Sequence, residues 1–206
     1  TLTVDETGRI RQIKYAPELS KNDNAFINMY VLKRSLLINI LKESIATNKK
    51  HFVADVIAKR LRSYNVMGYL HEGYVATISS LQTYYDRTMD LLDYDVRHEL
   101  FGDRGVFTKI RDSAPTKYGY NAVVSNSMIA DGCTIEGEVE NSVLFRGVKI
   151  ARGTKVKNCI LMQNTRVGEN VTLNYIITDK NVVISDRENL SGAENHCFYI
   201  PKGSMI

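Results

Sequence analysis

Two seventeen-residue stretches of this chain can be laid over one another without a gap: Val143–Cys159 (VLFRGVKIARGTKVKNC) and Ile160–Ile176 (ILMQNTRVGENVTLNYI). Val143 then falls on Ile160, Val148 on Thr165, Ile150 on Val167, Thr154 on Val171, Val156 on Leu173 and Cys159 on Ile176. A further copy begins at Ile177, where Val182 and Ile184 continue the columns. An earlier one, Ile129–Ile135, matches Ile150–Val156 at a spacing of 21, and four extra residues around Gly137–Glu140 are expected to absorb the offset. Within each copy the aliphatic residues recur in steps of six, one short flat strand plus a corner per step. Three such steps close a triangular coil whose inward side chains stack on those of the next coil. The pattern predicts a left-handed parallel β-helix over residues 123–206. A β-sandwich is the alternative, but sandwiches give alternation rather than columns at a fixed period.

Residues 1–112 read differently, as a mixed α/β segment. Thr1–Val4 and Ile10–Ile13 flank an acidic, glycine-ended turn, Asp5–Gly8, and predict a hairpin. A hairpin alone is marginal, so the rest of its sheet is expected elsewhere, which marks the chain as a piece of a longer protein. Ala25–Leu32, Tyr64–Leu70 and Tyr74–Ile78 are expected to be strands. Leu36, Leu37, Ile40, Leu41 and Ile45 recur at helical spacing, closed by Thr47–Lys50, and Phe52–Leu61 carries a shorter helical pattern. Ser79 or Ser80 is placed to cap a helix presenting Leu81, Tyr85, Met89 and Leu92. Pro115 marks the change of texture, and residues 113–122 are expected to be a linker.

Composition narrows the function classes. At 206 residues, 44% hydrophobic and 24% charged, the chain has material for a sizeable core and no apolar run long enough to cross a membrane. Three cysteines, Cys133, Cys159 and Cys197, are too few and too scattered for a disulfide framework or a closed zinc site, so a cytoplasmic setting is the default. The net charge of +4 comes from 27 Lys and Arg over 23 Asp and Glu, without the basic runs interleaved with aromatics that bind nucleic acid.

Specific residues carry a family resemblance over essentially the whole chain. Gly8–Ile13 (GRIRQI) resembles the G-R-I-x-x-F strand of the bacterial ADP-glucose pyrophosphorylases (glucose-1-phosphate adenylyltransferases). Gly73-Tyr74 with Tyr84–Leu92 (YYDRTMDLL) is similar to their G-Y-W-x-D-V-G-T…Y-W-E-A-N-M-D-L-L block. Val124–Cys133 and Val139–Gly147 resemble the opening of their β-helix, the most specific part of the match. The resemblance implies the C-terminal part of a nucleotidyltransferase domain, without the Gly-rich nucleotide loop, followed by the β-helix.

The departures from the family decide what the resemblance implies about function. The sugar-contacting E-K-P reads Tyr15-Ala16-Pro17, so its carboxylate and ammonium are both gone. The sugar loop A-S-M-G-I-Y reads Ala25–Tyr30, with Phe26 where the hydroxyl should be. The metal-binding aspartate of W-x-D-V-G-T falls on Thr77, and a neutral hydroxyl cannot replace a carboxylate on a hard dication. This is the pattern of the family's GlgD-type, non-catalytic subunits of Gram-positive glycogen synthesis. No cofactor is expected in this chain, with Mg2+ confined to a catalytic partner. The implied partners are that catalytic subunit, in a hetero-oligomer, or a second copy joined through the β-helix. The family's phosphorylated effectors imply an anion site at Arg111, Lys117 and Lys202. Two alternatives stay open: a catalytic nucleotidyltransferase seen in part, and a β-helix acyltransferase using a coil histidine, for which His196 is the candidate. Against these, His196 reads as a surface residue, Cys133 and Cys159 as inward packing, and Gly102–Gly105 as a simple turn.

Overall fold

The computed structural model of the protein describes residues 1–14, 24–102, 105–108 and 111–206. They form two compact units, Thr1–Glu72 and Gly73–Ile206. The division falls well before residue 112, because residues 73–101 carry their apolar side chains into the second unit.

In the first unit, β1 (Leu2–Val4) and β2 (Ile10–Ile13) pair antiparallel as the hairpin expected around Asp5–Gly8. The turn between them is organised by Asp5, whose carboxylate accepts from the Thr7 hydroxyl at 2.6 Å, Thr7 N at 2.9 Å and Arg9 N at 3.0 Å. These donors, the Thr7 hydroxyl first, hold the Asp5 carboxyl well below the usual carboxylate range. Helix α1 (Arg34–Ala46) follows the expected apolar stripe, but only Ile40 is buried, and Ile45 stays 81% exposed. Phe52–Ile57 forms a π-helical turn and Ala58–Arg60 a 3₁₀ turn where one short helix was expected. Neither expected strand of this unit forms: Ala25–Leu32 is irregular, with a single bridge from Leu2 to Asn24 just before it, and Tyr64–Leu70 keeps one bridge, Arg9 to Met67. Extended segments become strands only beside a partner, and Asn28, at φ 62°, also breaks the run 25–32.

The second unit is a parallel β-helix with three five-stranded faces. The first face holds Lys117–Tyr118, Thr134–Ile135, Lys149–Ile150, Arg166–Val167 and Val183–Ile184. The second holds Val123–Ser125, Glu138–Glu140, Lys155–Lys157, Thr172–Asn174 and Asn189–Ser191. The third holds Met128–Ile129, Val143–Leu144, Ile160–Leu161, Ile176–Thr178 and Phe198–Ile200. The columns read from the repeat are the observed pairs: Ile150 with Val167, Val156 with Leu173, Val143 with Ile160. Their inward side chains, with Cys133 and Cys159, form one buried core. The strand Lys117–Tyr118 lies inside the stretch expected as a linker, so the first coil starts earlier than its texture suggested.

The spacing of 21 is corrected by the observed register. Ile135 pairs with Ile150 and Ile129 with Leu144, a spacing of 15. The second coil is therefore two residues short, at the corner Glu136–Gly137, with no insertion at that corner. The three faces carry the same aliphatic pattern, so a match displaced by one face looks as good as the true one. The shortened corner crowds the coil above it: a Cβ on Gly137 would lie 2.4 Å from the Thr154 carbonyl oxygen and 2.9 Å from that of Ala151. Only glycine fits there.

The corner between the second and third faces turns on residues with positive φ: Asn126 (39°), Asn141 (46°), Asn158 (54°) and Tyr175 (54°). Asparagine tolerates this conformation better than other side chains. The amides bond along the axis, from Asn126 to Asn141 at 2.8 Å, Asn141 to Asn158 at 2.6 Å and Asn158 to Asn174 at 3.0 Å.

Outside the third face lies α2 (Leu81–Met89), capped by Ser80, one of the two serines expected to do so, in a capping box with Thr83. Tyr85 packs on Val143, Ile160, Ile177 and Cys197. A short helix, α3 (Tyr94–Phe101), follows from the cap Asp93, which accepts from Asp95 N at 2.7 Å. The expected strand Tyr74–Ile78 is irregular, tied to these helices by the Tyr74 hydroxyl on Asp90 at 2.6 Å. No helix among the described residues is long and apolar enough to cross a membrane.

Candidate functional site

The residues singled out in the sequence fall into separate places. Tyr15 and Ala16 lie outside the described residues, as does part of the turn 102–105. Phe26 is half-buried and stacks edge-on against Tyr30 at 5.3 Å, which in turn meets Phe52 at 5.2 Å. This aromatic row borders a cavity of about 310 Å³ within the first unit, also lined by Leu2, Ile10 and Ile40. Among the described residues no Asp, Glu, Lys, Arg or His lines it. Such a cavity offers apolar contact and two phenols, not the cations and carboxylates that phosphoryl chemistry needs.

Thr77 is exposed in the irregular segment before α2. No three metal-binding side chains gather anywhere among the described residues, and Thr77 itself brings only a neutral oxygen. A single neutral hydroxyl does not fit a hard dication.

The three cations expected to share an anion site are spread along the solenoid. Lys117 opens the first face, in the first coil. Lys202 stands in the turn after the last coil, where Gly203 N bonds the Lys180 carbonyl and Met205 bridges to Val183. Four strand steps, about 19 Å, separate Lys117 from the Val183 strand. Arg111 is exposed just before the first coil, near the corner where Gly132 N meets the Ala114 carbonyl. The structure does not bring Lys117 and Lys202 together.

His196 is exposed in the loop between Ser191 and Phe198, where Ala193 and His196 exchange backbone hydrogen bonds of 3.0 and 2.9 Å. Cys133 and Cys159 point into the core as expected, and Cys197 is buried beneath α2. Burial pushes the Cys159 thiol up to about 12 and that of Cys197 to about 11. Neither is a nucleophile at neutral pH.

Two polar recesses of the second unit were not foreseen. The shortened corner leaves a notch of about 450 Å³, floored by Gly137 and walled by Tyr120, Asn121, Glu136, Arg152 and Thr154. Its charges are already matched, Arg152 lying 3.5 Å from Glu136. The other, about 300 Å³, runs between α2 and the asparagine corner, lined by Tyr85, Asp86, Asp90, Asn158, Tyr175 and Glu194. Asp90 is held there by Arg87 at 2.9 Å and by Tyr74.

Also unforeseen is the outward column of the first face, which reads Lys117, Thr134, Lys149, Arg166 and Val183 in register. The signal was present in the repeat, since Thr134, Lys149, Arg166 and Val183 each precede a buried residue of the same column, Ile135, Ile150, Val167 and Ile184.

Residues 113–196 match the family described as GlmU-like, C-terminal hexapeptide. The chain is 34% identical over 182 residues to "Glycogen biosynthesis protein GlgD" of Bacillus subtilis (strain 168), covering 88% of this chain and 53% of that protein. It is 41% identical over 134 residues to the protein of the same name from Geobacillus stearothermophilus, covering 63% of this chain and 38% of that one. Against "Glucose-1-phosphate adenylyltransferase" of Clostridioides difficile (strain 630) it is 30% identical over 223 residues, 98% of this chain and 57% of the relative. The chain thus spans about half the length of the Bacillus subtilis and Clostridioides difficile relatives.

Proposed function

Because the chain belongs to the ADP-glucose pyrophosphorylase family, of which it spans the C-terminal part, we propose that it is part of a regulatory and assembly subunit of glucose-1-phosphate adenylyltransferase. The complex would act in glycogen biosynthesis in the cytoplasm, joining ATP and glucose 1-phosphate into ADP-glucose and pyrophosphate, with this subunit non-catalytic. The observation that carries the reading is the chemistry at the family's site positions. Phe26 borders an apolar, uncharged cavity, and Thr77 brings no carboxylate. In-line displacement at a phosphate needs metal-held charge neutralisation, and neither residue supplies it.

A subunit of this kind acts through its contacts, by shifting the equilibrium of a catalytic neighbour. Mg2+ would belong to that neighbour. Arg111 and Lys117 are the residues assigned to a phosphorylated effector, through charge-assisted hydrogen bonds. Lys202, beyond the opposite end of the coil stack, would serve a separate contact.

The test is the rate of ADP-glucose formation by the full-length protein, alone and mixed with the catalytic subunit encoded in the same genome. No product alone, with a changed rate or effector response in the mixture, supports the proposal. Turnover by the protein alone would overturn it.

A further inference from the structure

The solenoid treats its charges differently on different faces. On the second face, cations and carboxylates of neighbouring coils neutralise each other, Lys155 with Glu138 at 3.4 Å and Lys157 with Glu140 at 3.0 Å. On the first face, Lys149 and Arg166 are register neighbours on adjacent parallel strands, both exposed. Strand spacing sets their Cα atoms about 4.8 Å apart. Like charges side by side on a sheet repel, and among the described residues neither has a carboxylate within ion-pair distance. Lys117 extends the same column, with Thr134 between it and Lys149. Of the carboxylates at the margins, Glu136 is engaged by Arg152, Asp179 by the Tyr199 hydroxyl at 3.3 Å and Asp186 by the Glu169 main-chain N–H at 2.7 Å, while Glu169 stands at the corner after Gly168 outside ion-pair distance of Arg166. Asp131 stands at the corner of the Thr134 coil, two coils from Arg166.

The neighbouring outward column is small except for Glu136, which Arg152 engages: Gly119, Ala151, Gly168 and Ser185. The face is therefore a shelf of short side chains edged by uncompensated cations. None of the cavities above is lined by Lys117, Lys149 or Arg166. A small anion binds in a concavity that surrounds it, whereas a flat shelf suits a flat partner. Single-stranded nucleic acid is read by aromatic platforms set among cations, and these two columns carry no ring.

We infer that the first face of the β-helix, centred on Lys149 and Arg166, is a docking surface for an acidic face of a partner protein. Resting on the function proposed above, that partner is the catalytic subunit. Opposed charge steers such an encounter and fixes its register, which relieves the Lys149–Arg166 repulsion once the complex forms.

The experiment measures the affinity of the full-length protein for the catalytic subunit of the same genome, by sedimentation or interferometry, at low and high salt. Wild-type affinity should fall as salt rises. The double variant Lys149→Glu/Arg166→Glu should bind at least about tenfold more weakly at low salt, and Lys149→Gln/Arg166→Gln should fall between. Lys155→Gln/Lys157→Gln, on the self-neutralised face, should bind within about twofold of wild type. Both first-face variants alter only exposed side chains, and an unchanged circular dichroism melt accompanies a valid result. Wild-type association that neither the reversal nor salt weakens would overturn the docking face and leave the subunit proposal standing. No association of the wild type at any salt would overturn the subunit proposal and the docking face together. Tighter binding of a DNA duplex than of the catalytic subunit, abolished by the same reversal, would overturn the protein partner.

Discussion

The Tyr85 hydroxyl donates to the main-chain carbonyl of Asn158 at 3.0 Å, joining a helix to a β-helix corner 73 residues further along the chain. Its ring is buried on the third face of the solenoid, and that burial pushes the phenol well above its usual range. Packing and the single polar contact can be separated by substitution. Tyr85→Phe keeps the ring and is expected to cost about 1 kcal/mol. Tyr85→Ala also loses the apolar contact with Val143, Ile160 and Ile177 and should cost about 3–5 kcal/mol. Urea unfolding of both variants checks this, and equal losses would contradict it.

Gly137 is the tightest point of the shortened corner. Gly137→Ala drives a methyl group toward the Thr154 and Ala151 carbonyl oxygens and is expected to destabilise by about 1–3 kcal/mol. Gly119→Ala, whose new Cβ would meet Glu136 at 3.3 Å, should cost less. Thermal melts of the two variants give the order, and an equal or reversed order would reject the crowding argument.

The asparagine corner combines two contributions, a left-handed backbone and an amide ladder. Asn158→Gly keeps the φ of 54° available but removes the bonds to Asn141 and Asn174. Asn158→Ala removes both, and should be less stable than Asn158→Gly by about 1 kcal/mol. Chemical denaturation of the pair measures the difference directly.

The core thiols make the fold sensitive to alkali. Cys159 keeps its proton up to about 12 when folded, against an ordinary value of 9.0. Between those values the unfolded chain has lost a proton that the folded chain retains, so unfolding is favoured as pH rises. Stability is full below about 9 and should fall above it by up to about 1.4 kcal/mol per pH unit for this group. Cys159→Ala should show a shallower alkaline loss than wild type in melts at pH 8, 9.5 and 11. Identical slopes would contradict the assignment.

Much of the solenoid was legible because its inward residues repeat at the coil length, and Ile150, Val156 and Val167 could be paired by counting alone. The short coil was not, because one face resembles the next and Ile135 matches Val156 as readily as its true neighbour Ile150. The capped helix at Ser80 was readable, but its apolar stripe does not say what it packs against, and its place on the third face of the coils came only from the structure. The expected strands at 25–32 and 64–70 had β-forming composition but lacked partners to pair with. The distances among Arg111, Lys117 and Lys202 were beyond sequence reasoning, since they depend on where each enters the coil stack. The adjacency of Lys149 and Arg166 was not, because they are separated by one coil length.

A stack of equal coils carries no internal address. If every turn held seventeen residues, a strand would find nearly the same aliphatic partner one turn too far along, and the chain could settle out of phase. The turn that runs from Ile135 to Ile150 breaks that translational symmetry. With a glycine wedged beneath the Thr154 carbonyl, it gives the coils an origin from which all others are numbered. Displacement by one turn would bring a full-length corner, with a side chain, against a neighbour that has room for neither. The two missing residues thus act as a key, letting a repetitive sequence close in one alignment.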